Sequence, residues 1–347
     1  MRYQDLDWNA MWREERQHKS RPRRNRREWD RRAADFATRN LDSPYTDQFL
    51  AKFAWQPHWT VLDAGCGPGT LALPLARRVQ QVSAVDYSAA MLAELDKQKQ
   101  SQELSNIRTV QAAWEDDWAA LGLEPHDVVI ASRSLAVDNL AGALAKMDRY
   151  SRRLAIIGDR VGAGPFDPEL FAALGRPFDP GPDYIYTINI LYRLGIHAGV
   201  DFIILDHERI YPDRQRAIDS LLWMIPAEEP LSAEEQRRLE EYADARLHPK
   251  PDGTFALRRD NPSKWALIHW EKSQACALGR GPRSPVAAGL PAAGHMDVQE
   301  AAGTAIDDLG AGRQPAENEP LPGFAAPTPV QQPKTSTNQS GGTRCGS

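Results

Sequence analysis

The sequence predicts an α/β protein: a parallel sheet with helices on both faces. Three observations carry this. Short apolar runs alternate with helix-like stretches from residue 60 to residue 158. Runs such as DVVIA and LAIIG are strongly apolar, as buried parallel strands are. A glycine-rich loop directly follows the first run, where open α/β sheets bind their ligands.

Taken in order, Thr60 to Ala64 is a strand and Thr70 to Val79 a helix, with Pro74 acceptable only near its first turn. Val82 to Val85 is the second strand and Ala89 to Lys99 the second helix. Ile107 to Gln111 and Asp127 to Ala131 are the third and fourth strands. Ala141 to Tyr150 is a helix, and Leu154 to Gly158 the fifth strand. Residues 164–198, rich in Pro, Gly and Tyr, read as an inserted cap. Then come a strand at Asp201 to Leu205, helical stretches over 214–224 and 233–247, and a last strand at Trp265 to Trp270.

The chain has 347 residues, room for one large domain or two smaller ones. Its net charge of -5 argues against a surface built to coat nucleic acid. Cys66, Cys276 and Cys345 form neither a disulfide framework nor a zinc pattern, which points to a reducing cytoplasm and to no metal. The start, MRYQDLDWNAMWREE, has no apolar core and is not a secretory signal. The most apolar stretch, 184–205, contains Arg193, His197 and Asp201, so it reads as buried and no membrane segment is expected.

Composition shifts at both ends. Residues 13–32 carry ten Lys/Arg against four Asp/Glu. That run is either a solvated helical arm or a patch for an anionic partner, though Trp29 is its only aromatic. From residue 279 onward there are eleven Gly and nine Pro, with Phe324 the only aromatic. Such a segment buries too little apolar surface to offset the entropy of ordering it. The expected organisation is a basic helical lid over 1–48, a main domain over 49–273, and a disordered tail over 274–347.

The glycine loop lies within VLDAGCGPGTLALPLA, residues 61–76. Its spacing is G-x-G-x-G, with Thr70 where a dinucleotide fingerprint needs its last glycine. Asp63, just ahead of it, would repel a pyrophosphate but suits an amino group. Asp86 ends the second strand, where a carboxylate accepts hydrogen bonds from ribose hydroxyls. Either acid alone could cap a helix. Together with the loop they describe a nucleoside carrying an amino acid.

Those two stretches, VLDAGCGPGTLALPLA and VSAVDYSAAML, resemble the first two motifs of the class I S-adenosylmethionine-dependent methyltransferases. The resemblance covers roughly residues 30–160. It implies a Rossmann-like doubly wound sheet of seven strands, with the last pair antiparallel. It places Gly65, Cys66 and Gly67 under the methionine part of the cofactor, Asp63 toward its amino group, and Asp86 on the ribose. Tyr87 and Met91 would pack near the adenine. Where the family often has Gly-Asp-Ala, this chain has Ala112-Ala113-Trp114-Glu115. Trp114 is then expected to flank the adenine and Glu115 to meet its amino group. Ser132, after the fourth strand, would sit beside the sulfonium, and Tyr45 would touch the cofactor from the lid. Cys66 is expected to be a small loop residue and not a nucleophile.

The activity implied is methyl transfer to a small-molecule acceptor by in-line displacement. RNA or protein is the alternative acceptor, reached through the basic arm. A non-catalytic module that binds S-adenosylmethionine is the other alternative. No catalytic base is identified. His126 starts the fourth strand at the far end from the loop and reads as structural. His197 and His207 flank the sixth strand. Tyr184, Tyr186, Asn189 and Tyr192 are expected either to shape the acceptor pocket or to pack the cap.

Overall fold

The computed structural model describes residues 2–18, 25–40, 43–206, 208–226 and 229–272. The expected tail at 274–347 and His207 lie outside the described residues. The strands are β1 (Thr60–Ala64), β2 (Gln81–Asp86), β3 (Ile107–Gln111), β4 (His126–Ser132), β5 (Ser151–Arg160), β6 (Gly199–Leu205), β7 (Arg209–Tyr211), β8 (Leu247–Pro249), β9 (Phe255–Leu257) and β10 (Ser263–Glu271). The helices are α1 (Trp8–His18), α2 (Arg26–Asn40), α3 (Pro44–Ala51), α4 (Ala72–Ala76), α5 (Ala89–Ser101), α6 (Leu140–Tyr150), α7 (Pro168–Leu174), α8 (Tyr184–Arg193), α9 (Arg214–Asp219) and α10 (Ala233–Asp244).

Seven strands form one sheet in the order β3-β2-β1-β4-β5-β10-β6. The ladders from β3 through β5 are parallel, while β10 runs antiparallel to both β5 and β6. This is the expected doubly wound sheet with its antiparallel last pair. Strand order reverses between β1 and β4, which opens a crevice at their carboxyl ends.

Side chains on successive residues point to opposite faces, so each central strand feeds two cores. Leu62, Val129, Ala155 and Ile157 face α6, α8 and α1. Val61, Val128, Ile130 and Ile156 face α3, α4 and α5. Local chemistry sets the helix starts. Ser43 caps α3 ahead of Pro44, and the Ser88 hydroxyl accepts from the Met91 N–H at the start of α5. The expected helix over 70–79 is shorter, at Ala72–Ala76. Pro74 is its third residue, where the missing N–H removes no helical hydrogen bond.

The chain between β6 and β10 builds something that periodicity did not reveal. β7, β9 and β8 form a second, antiparallel sheet of three strands. It shares a third core with α7, α9 and α10 through Leu170, Phe171, Leu221, Leu239 and Tyr242. The expected helix over 214–224 stops at Asp219 and resumes as a single 3-10 turn at Leu222–Met224. The cap at 164–198 divides its helices. α7 joins this small lobe, while α8 packs on α6 and α1 against the main sheet.

Candidate active site

A cavity of about 440 Å³ lies across the carboxyl ends of β1, β2, β4 and β5. Its floor is the glycine loop. The Gly65 and Cys66 N–H groups donate to the Val85 carbonyl at 2.7 and 3.0 Å, tying the loop to β2. Gly65 has φ 76, and a Cβ there would lie 2.2 Å from the Ser134 Cβ, so only glycine fits between the loop and the turn after β4. The Ser134 hydroxyl donates to the Ala64 carbonyl at 2.6 Å and closes the same junction.

The two acids differ in their partners. Asp86 accepts from the Gly67 N–H and the Ser88 N–H, both at 2.9 Å. One bond to each oxygen leaves lone pairs toward the cavity. Asp63 is 2% exposed, and its Oδ2 has no hydrogen-bond partner. Burial and the neighbouring Asp86 push its carboxyl up to about 7, with Arg133 pulling the other way. A buried acid with an orphaned oxygen at a cavity wall is suited to a cationic ligand group.

Nearly all the expected site residues come together here. Asp63, Gly65, Cys66, Gly67, Asp86 and Tyr87 line the cavity, as do Met91, Trp114, Glu115 and Ser132. Trp114 is fixed edgewise, its Nε1–H donating to the Ser134 carbonyl at 3.2 Å while it packs on Trp118. Burial and the nearby acids push the Cys66 thiol up, so it stays protonated and unreactive. The orphaned Asp63 oxygen, the floor without side chains at Gly65 and the open lone pairs of Asp86 fit S-adenosylmethionine, with its ammonium, its tail and its ribose.

Tyr45 is not on the cavity wall. It is fully buried, and its hydroxyl bonds the Ser132 hydroxyl at 2.7 Å. A Cβ at Gly158 would lie 2.2 Å from that hydroxyl oxygen, so the glycine in β5 makes the space for it. Tyr45 therefore supports the wall from behind.

Arg133, directly after β4, carries the next layer. Its φ is 59, and its N–H donates to the Gly158 carbonyl at 2.7 Å. Its guanidinium lies 4.5 Å from the Tyr45 ring centroid and 5.6 Å from that of Trp265. Beyond it the cavity wall is Asp159, Phe166, Phe178, Pro180 and Trp265. Asp159 accepts from the Thr187 hydroxyl at 2.7 Å, and burial raises its carboxyl above the usual range. Sequence reasoning missed these groups. Their one linear signal was that Arg133 and Asp159 end strands whose carboxyl ends face the crevice.

The roof is α1 and α2. Trp12 donates to the Val137 carbonyl at 2.7 Å, and Arg16 bonds the Val137 and Ala136 carbonyls and Asp138. Asp30 on α2 accepts from the Ser88 hydroxyl at 2.5 Å. Arg16 thus holds the lid down and is not part of a solvated basic face.

The acceptor-pocket expectation for the cap tyrosines does not hold. Tyr186 packs on Trp8 and Trp12, and Tyr192 packs on Tyr3 and His197. The Asn189 carbonyl accepts from the Tyr3 hydroxyl. α8 anchors the N-terminal segment. His197 precedes the amino end of β6, on the side of the sheet away from the crevice, which removes it as a base. His126 bonds the Ser83 hydroxyl and the Glu124 carbonyl and is structural, as expected. Among the described residues, no cluster of His, Cys, Asp and Glu can hold a metal. No described helix is long and apolar enough to cross a membrane.

Residues 61–153 match the family model for a methyltransferase domain. An uncharacterized protein of Haemophilus influenzae is 32% identical over 248 residues, 70% of this chain and 88% of that protein. A 23S rRNA (uracil(1939)-C(5))-methyltransferase of Pseudomonas fluorescens is 36% identical over 106 residues, 27% of this chain and 24% of its own length. Among solved structures, magnesium protoporphyrin IX methyltransferase from Synechocystis, with bound S-adenosylhomocysteine, is 20% identical with a TM-score of 0.36, covering 58% of this chain and 86% of its own.

Proposed function

Because the chain belongs to the class I S-adenosylmethionine-dependent methyltransferases, we propose that its methyl acceptor is a small molecule held in the inner half of the cavity. The carrying observation is enclosure. The cavity continues from the glycine loop to Phe166, Phe178 and Trp265 under a roof that Trp12 and Arg16 pin to the turn after β4. Such a wall suits a compact acceptor better than a polymer strand.

S-adenosylmethionine, when bound, would supply an activated methyl for transfer to the acceptor's lone pair, with S-adenosylhomocysteine as the leaving group. The protein binds, orients and excludes water. Asp63 meets the amino group, directly or through a water. Asp86 accepts from the ribose hydroxyls. Trp114, Tyr87 and Met91 flank the adenine, and Glu115 meets its amino group. Ser132 borders the sulfonium, held by Tyr45. Asp159, with its raised carboxyl, takes up the acceptor's proton where the acceptor is a weak acid. A cytoplasmic location is part of this proposal, supported by three cysteines that form no disulfide framework.

The test is transfer of labelled methyl from S-adenosylmethionine into fractionated cell extract. Label in the metabolite fraction is expected. Label confined to RNA or protein would overturn the small-molecule acceptor.

RNA is kept as the second reading because of the basic run at 13–32 and the similarity to an rRNA methyltransferase. It requires RNA binding at low salt that is lost on neutralising Arg23, Arg24, Arg26 and Arg27.

A further inference from the structure

Among the described residues, no carboxylate or carbonyl pairs with the guanidinium of Arg133 on the cavity wall. Arg133 adopts φ 59, a conformation disfavoured for any residue with a side chain, at the end of β4. Its guanidinium carbon lies 4.5 Å from the Tyr45 ring centroid and 5.6 Å from that of Trp265, contacts that leave its N–H groups without an oxygen acceptor. It makes no ion pair with Asp63 or Asp159, and no described residue accepts a hydrogen bond from it. Two other arginines of this cavity, Arg160 and Arg16, are committed. Arg160 donates to the Pro182 carbonyl at 3.0 Å, and Arg16 bonds the carbonyls after β4. Arg133 therefore keeps its full fork of donors, beside Trp265, in a cavity that Phe166, Phe178 and Pro180 also line.

We propose that Arg133 is the anion anchor of the acceptor pocket, and that the acceptor is a small molecule with an aromatic body and a carboxylate. This rests on the methyltransferase reading above. A planar guanidinium presents two parallel N–H groups, the geometry that a carboxylate matches with both oxygens. A single charge fits better than a phosphate dianion, because Asp63 and Asp159 line the same cavity and repel a second negative charge. Trp265 next to the guanidinium, with the aromatic and proline side chains that line the same cavity, takes the ring of the acceptor. The carboxylate is the handle and not the methylated group.

The cofactor also carries a carboxylate, on its methionine tail, so the experiment separates the two sources. Benzoate, phenylacetate and 3-phenylpropionate, each beside its amide, are titrated calorimetrically into the wild-type protein saturated with S-adenosylhomocysteine. At least one acid is expected to bind about tenfold or more tightly than its amide. Arg133→Gln should abolish that preference and leave S-adenosylhomocysteine affinity within about twofold. Arg133→Lys, which keeps the charge but not the fork, should restore the preference only in part. If no acid is preferred over its amide by the wild-type complex, the inference fails while cofactor binding, and the reading beneath it, stands. If Arg133→Gln weakens S-adenosylhomocysteine about tenfold and spares the acid preference, the guanidinium belongs to the methionine carboxylate and the inference again fails. A wild-type protein that does not bind S-adenosylhomocysteine overturns both. The acid–amide comparison uses wild-type protein alone and does not depend on how a variant folds.

Discussion

Asp63 is the residue on which the site's chemistry turns. A carboxyl that is buried, beside Asp86 and without a partner for Oδ2 disfavours its own ionisation. It becomes a good acceptor only when a positive group arrives. Asp63→Asn removes the charge and keeps the shape. S-adenosylmethionine affinity is expected to fall by about 1.5–3 kcal/mol, the worth of a hydrogen bond to a charged group, as measured by calorimetry. Asp159 makes a different prediction. If it accepts the acceptor's proton, Asp159→Asn should lower kcat by about 10²–10⁴ and leave cofactor affinity unchanged. An unchanged kcat would remove it from that role. Asp63, Asp86 and the glycines were legible in the sequence because their meaning lies in local spacing along one strand–loop–helix unit. Arg133 was not, because it depends on a positive φ and on two aromatic rings, Tyr45 and Trp265, brought in from distant parts of the chain.

At the scale of elements, the wall of the cavity is only as firm as the contact between α3 and the sheet. Tyr45 on α3 reaches Ser132 at the end of β4 through a gap that Gly158 leaves in β5. Gly158→Ala puts a methyl 2.2 Å from the Tyr45 hydroxyl oxygen and 3.0 Å from the Ser132 hydroxyl oxygen. Overpacking of this kind costs about 1–3 kcal/mol. Tyr45→Phe alone loses one hydrogen bond, about 1 kcal/mol. Combined with Gly158→Ala it removes the clashing atom, so the double variant should be more stable than the sum of the two losses predicts, in a denaturant-unfolding cycle. Strict additivity would mean that the contact does not exist. The strands of the main sheet were legible because buried parallel strands are short apolar runs. The three-stranded sheet of the small lobe was not. β7, β8 and β9 have three residues each, too few for any period to show, and β7 pairs with β9 across a long interval of chain.

For the whole molecule, the acids of the site and those of the surface act on stability in different pH windows. Burial raises the carboxyls of Asp63, Asp86 and Asp159 above the ordinary range. A raised carboxyl binds its proton more tightly when folded than when unfolded. The folded state is then favoured below the ordinary carboxyl range and loses that advantage as pH rises through the folded value, which for Asp63 is about 7. Exposed Glu234 and half-buried Glu235, paired with arginines, are lowered to about 2 and act the opposite way. Their contribution is present above the ordinary range and is lost only in acid. The two sets therefore meet near the ordinary carboxyl range. The Tm of the free protein should peak at about pH 5 and fall toward pH 8, with Asp63→Asn flattening the fall. If S-adenosylmethionine brings its ammonium to Asp63, as proposed, the rise in Tm on adding it should be larger at pH 8 than at pH 5.5. A thermal shift that is the same at both pH values would separate Asp63 from the cofactor's amino group, and would leave the orphaned oxygen to be explained by some other cation.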